Sequence, residues 1–172
     1  MRFRRESVKG PPQYPPAAAS GEYFQLGSVR LYQPDSILKE RLPEPAKLAS
    51  YCKTLSWVGT EYFGRLSQDF GSMGILIAVG IKPGKRIRLW CEQVAGDIPP
   101  DVWQVFVELL EGAGQDVLPA VSGSLACALE CLLGAGPSTG FPLGPRIWAE
   151  AARTAGRELR IPDTLFEVVF PD

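Results

Sequence analysis

GILIAVGIKPGKRIRLWCEQVAGDIPPDVWQVFVELLEG, residues 74–112, reads as a β-hairpin running into an amphipathic helix. The hairpin strands are 75–79 and 87–91, joined around Lys82-Pro83-Gly84-Lys85, where Pro-Gly is a strong turn signal. Residues 74–79 are apolar on both faces, as in a central strand. Ile87, Leu89 and Cys91 alternate with Arg86, Arg88, Trp90 and Glu92, which predicts a strand with one wetter face. The helix is predicted over 99–111. Asp97 is placed to cap it, and Pro99 falls in the first turn, where a missing N–H costs nothing. Val102, Val105, Phe106, Leu109 and Leu110 form the expected buried stripe, and Gly112 ends it.

Outward from this block, residues 1–21 read as a flexible Pro-rich arm, with Pro11, Pro12, Pro15 and Pro16 outside any periodic pattern. Residues 22–172 read as a single α+β domain: a small antiparallel sheet (the hairpin 75–91 plus further strands) packed against two to four helices. Residues 22–33 fit one strand or a short hairpin around Gly27. A helical stretch opens at 34–36 and is broken by Pro43 and Pro45. From 46 to 68, Leu48, Tyr51, Cys52, Leu55, Val58, Tyr62 and Leu66 recur at spacings of three and four, a long amphipathic helix. Gly59 weakens it and is a site for a kink.

Residues 118–136 fit two readings. Leu125, Cys127, Leu129, Cys131 and Leu133 alternate like a strand. Leu125, Ala128, Leu129, Leu132 and Leu133 fit a helix capped by Ser124. A lone hairpin is marginal, so a further strand to complete the sheet tips the reading toward strand. Residues 145–155 read as a short helix with Ile147, Trp148, Ala151 and Ala152 as its stripe, and 165–170 as a final strand.

The chain of 172 residues is 45% hydrophobic, enough for a genuine core. It contains no histidine. That removes the commonest general base and excludes Ser-His-Asp, Cys-His and HExxH chemistry. Cys52, Cys91, Cys127 and Cys131 make no zinc-ligand spacing and read as buried thiols. No metal or cofactor is expected, and no catalytic residue. No apolar run approaches the roughly 18–20 residues of a membrane span. Met1-Arg2-Phe3-Arg4-Arg5 is followed by a Pro-rich stretch rather than an apolar core, so the expected location is cytoplasmic.

The net charge of −1 hides an asymmetry. Residues 1–90 hold 14 Lys/Arg against 7 Asp/Glu, and residues 91–172 hold 4 against 12. An acidic face suits a basic partner. The candidate partner-binding surface is Glu92, Asp97, Asp101, Glu108 and Glu111, with Trp103 as an aromatic anchor. The alternative is a nucleic-acid site on the hairpin, using Lys82, Lys85, Arg86 and Arg88 beside Trp90. The glycine loop 80–86 lacks the spacing, the Ser/Thr and the following helix of a phosphate-binding loop, and is read as a turn.

Over 74–133 the order strand, turn, strand, helix, Pro-containing link, apolar segment resembles the C-terminal domain of TonB/TolA-type envelope proteins. By its size, acidic C-terminal half and lack of catalytic groups and export signal, the whole chain resembles the small α+β immunity proteins that neutralise bacterial effector toxins. That resemblance implies a non-enzymatic protein binder whose partner is a cognate toxin, a nuclease among the options. A TonB/TolA-like interaction domain and a nucleic-acid-binding module are the alternatives.

Overall fold

A computed structural model describes residues 23–66, 68–156 and 163–172. The arm read over 1–21 lies outside the described residues. The described elements are β1 (Phe24–Leu31), α1 (Asp35–Arg41), α2 (Pro45–Leu66), β2 (Met73–Lys82), β3 (Arg86–Val94), α3 (Pro100–Gly112), a 3-10 turn (Gln115–Val117), β4 (Leu125–Leu133), α4 (Arg146–Thr154) and α5 (Asp163–Val169). The four strands form one antiparallel sheet in the order β1-β4-β2-β3. This is an α+β fold with helices on both sheet faces.

Alternation along the two central strands explains both layers. Ile75, Ile77, Val79 and Ile81 of β2 lie with Leu125, Cys127, Leu129, Cys131 and Leu133 of β4 on one face, where residues of α2 and α3 cover them. Leu76 and Ala78 lie with Ala126 and Ala128 on the other, under Trp148 and Ala152 of α4 and Phe166 and Val169 of α5. Every residue of β2 is buried, as the apolar run over 74–79 predicts for its centre, and the burial extends to Lys82 at its end.

Within the open segment 118–136, Leu125–Leu133 resolves to strand. Nine residues of β4 pair in register with β2, from Met73↔Leu133 to Ile81↔Leu125, while its other edge pairs with β1. The helix preference of Ala and Leu loses to the ladder bonds that a strand at the sheet centre collects on both sides.

Three expectations need correction. The segment read as a final strand is helical through Val169, not extended: Leu165, Phe166, Val169 and Phe170 are buried while Glu167 and Val168 are exposed, a period close to four. Asp97 does not cap α3. Pro99 occupies the cap with no side-chain bond, and the Gln93 side chain instead accepts the Ile98 N–H at 2.5 Å. The stripe of α3 is also narrower than read, because only Phe106 and Leu110 are buried, while Val105 and Leu109 are 44% and 45% exposed. The helix packs on α2 and on the outer strand β3, which leaves Val105 and Leu109 uncovered.

Gly59 does not interrupt α2, which runs unbroken from Pro45 to Leu66. Its absent side chain makes room for the Phe24 ring, whose nearest atom lies 2.3 Å from where a Cβ would stand. Phe24 is itself held by stacking on Phe63, at 5.6 Å and 6°. Gly59→Ala is therefore expected to destabilise the fold by about 1–3 kcal/mol, although alanine is the better helix former by ~1 kcal/mol. A higher urea midpoint for this variant would show that the ring can yield.

Candidate partner-binding cleft

At the end of β3 the chain turns through Ala95, a non-glycine residue at φ 57°, and crosses Gly96 and Asp97 toward α3. This turn, the first turns of α3 and the start of α4 enclose a cleft of about 400 Å³. Glu92, Gln93 and Cys91 line it from the strand, Asp97 from the turn, Trp103 from α3 and Arg146 from α4.

Each side chain is held for a local reason. The Glu92 carboxylate accepts the Arg146 main-chain N–H at 2.6 Å, placing negative charge at the N-terminus of α4, where unpaired N–H groups favour it. Gln93 is fixed by its bond to Ile98. Trp103 is half-buried and leans on Phe106 at 5.7 Å. Burial, with a smaller contribution from the Glu111 charge, pushes the Cys91 thiol up to about 12. It stays protonated near neutral pH and is a poor nucleophile.

The structure thus brings Glu92, Asp97 and Trp103 together. Asp101, Glu108 and Glu111 lie outside the cleft lining, exposed on α3, with Glu108 bonded to Gln104 at 3.0 Å. Arg146 was not legible as a site residue, since it lies 54 positions from the Glu92 that its backbone engages. Trp148, read in the stripe of its helix, is fully buried against Trp90 and Tyr32, whereas Trp57 is exposed.

The basic hairpin is largely engaged within the fold. Lys82 is 2% exposed, and its ammonium donates to Glu167 at 2.8 Å and to Asp172 at 3.1 Å. Arg86 donates to the Asp172 carboxylate at 2.7 Å. Arg88 donates to the Val169 carbonyl and lies over the Trp90 ring. Lys85, exposed at the turn, has no ion pair among the described residues. The acceptors come from the last ten residues, more than 80 positions away in sequence, so the hairpin alone could not reveal them.

Among the described residues no cluster of Cys, Asp and Glu has metal-binding geometry, and no helix is long and apolar enough to cross a membrane. No family model matches this chain, and no curated protein or solved structure is significantly similar to it.

Proposed function

We propose that this chain is a non-enzymatic protein-binding domain that captures a basic segment of a partner protein through the cleft at the end of β3. The observation that carries the reading is the meeting of two carboxylates, Glu92 and Asp97, with the indole of Trp103 in one open recess. An arginine or lysine of the partner would stack on the indole face while its charge meets the carboxylates. The acidic outer surface of α3, with Asp101, Glu108 and Glu111, extends the same field and favours rapid encounter.

In its finer form the proposal is a cytoplasmic immunity protein that occludes a cognate effector toxin, with a basic nuclease cleft as the natural target. The nucleic-acid alternative is less favoured by the geometry, because Lys82 and Arg86 already neutralise carboxylates of their own chain.

The test is affinity capture with the wild-type chain beside Trp103→Ala, followed by titration of whatever the wild type retains. The expected partner is basic, binds less tightly as salt rises, and loses about 2 kcal/mol or more of affinity to Trp103→Ala. Unchanged binding after charge reversal at Glu92, Asp97, Asp101, Glu108 and Glu111 would overturn the surface assignment. Protection of cells expressing the captured partner would establish the immunity role.

A further inference from the structure

The two outer strands of the sheet differ. β1 is interrupted by a bulge, its register shifting between Leu26 and Ser28. β3 pairs with β2 over nine consecutive residues without a shift, and no described residue hydrogen-bonds to its outer main-chain edge. Bulges and irregularity protect an edge from further pairing, and a regular unpaired strand invites it.

The sequence of β3 is self-complementary about Trp90. Arg88 lies two positions before it and Glu92 two after, both on the sheet face that carries Trp90. Leu89 and Cys91 flank it on the other face, both half-buried. Arg88 has no carboxylate partner among the described residues; its guanidinium donates to the Val169 carbonyl and lies over the Trp90 ring. Glu92 has no ion pair among them either, its carboxylate accepting only a main-chain N–H.

We propose that β3 is a homotypic edge through which two copies of this chain join, antiparallel about a two-fold axis at Trp90. That register sets Arg88 of each copy opposite Glu92 of the other, twice by symmetry, and Leu89 opposite Cys91. Opposite charges facing across an antiparallel pair attract, and like charges repel. The two-fold places the same strand on both sides, which is the self-complementarity a closed dimer requires. A register centred on Leu89 would call on Arg86 instead, and that guanidinium is already committed to Asp172. The resulting sheet has eight strands, with the helical layers of both copies continuing on the same two faces.

This inference does not rest on the cleft reading, although Glu92 lines the cleft too. Its test is sedimentation of the full chain, wild type against Arg88→Glu and Glu92→Arg, each alone and the two mixed. The wild type should dimerise. Each single variant places two like-charge pairs in the interface and should weaken dimerisation by roughly tenfold or more. The equimolar mixture should recover a dimer, because one copy then offers two acids and the other two bases. A monomeric wild type, or single variants that dimerise as well as it does, would overturn the proposal. If either reversal unfolds the chain by circular dichroism, Arg88→Gln and Glu92→Gln must each lower the dimer constant, or the proposal fails. Glu92 belongs to the cleft as well, so the Arg88 variants decide the dimer on their own, and partner capture is read through Trp103→Ala, off the strand.

Discussion

Phe106→Ala is expected to lower stability by about 3–5 kcal/mol, the range for removing a fully buried phenylalanine. Phe106 is 0% exposed and sits at the centre of an aromatic cluster. Its ring lies 5.0 Å from Phe63, 5.7 Å from Trp103, 5.9 Å from Tyr62 and 6.1 Å from Phe24. These neighbours come from β1, α2 and α3, so the ring joins three elements that meet over one face of the sheet. None of them can close the cavity without leaving its own contacts. Domains are typically stable by only about 5–15 kcal/mol, so the loss is a large fraction of the whole. The check is urea denaturation, in which the midpoint should fall without a change in slope. Trp103 loses its support in the same variant, so partner capture should weaken while the chain is still folded. A cost below about 1 kcal/mol would mean that the cluster is not the centre of this layer.

Phe166→Ala tests the opposite face, with an expected loss again of about 3–5 kcal/mol. Phe166 is fully buried on α5, between Trp90, Trp148 and Phe170 at 6.4, 6.3 and 5.7 Å. The sheet beneath accommodates it through Gly80, where a Cβ would lie 2.6 Å from the ring. This helix also places Glu167 against the buried Lys82. Loosening it exposes an ammonium that the fold has largely removed from water, and the hairpin cations would lose their acceptors. The variant should therefore lose stability and also gain nonspecific affinity for a polyanion such as heparin. Retained stability would argue that the last ten residues do not seal this face.

Local spacing made most of the elements readable. The all-apolar run of β2, the Pro-Gly turn and the three-four spacing of α2 are written within a few residues of each other. Each of them is decided by neighbours at i+2, i+3 or i+4. Where the pattern was short, it misled. Six residues from Leu165 to Phe170 carry too few periods to separate strand from helix, and the exposed Val168 blurred the alternation. On α3, an apolar residue on the helix did not mean a buried one, since Val105 and Leu109 face outward for want of a covering element.

The site divides the same way. Glu92, Asp97 and Trp103 lie within twelve residues on the strand, turn and helix of one continuous segment, so composition alone drew attention to them. Arg146, the fourth wall of the cleft, arrives from α4 across a long separation.

By itself, then, the sequence determined the class of fold, the central hairpin, and the absence of histidine-based chemistry. It also placed acidic and aromatic groups around the end of β3. Only tertiary structure decided that β4 inserts between β1 and β2, that the last helix covers the second face, and that Lys82 and Arg86 of the basic hairpin pair with Glu167 and Asp172. The physical reason is range. Backbone periodicity is fixed by residues a few positions apart, whereas strand order, burial and ion pairing depend on groups up to 122 positions apart in the chain, as in Arg41 and Asp163. No local pattern encodes which of many possible partners a charge will meet.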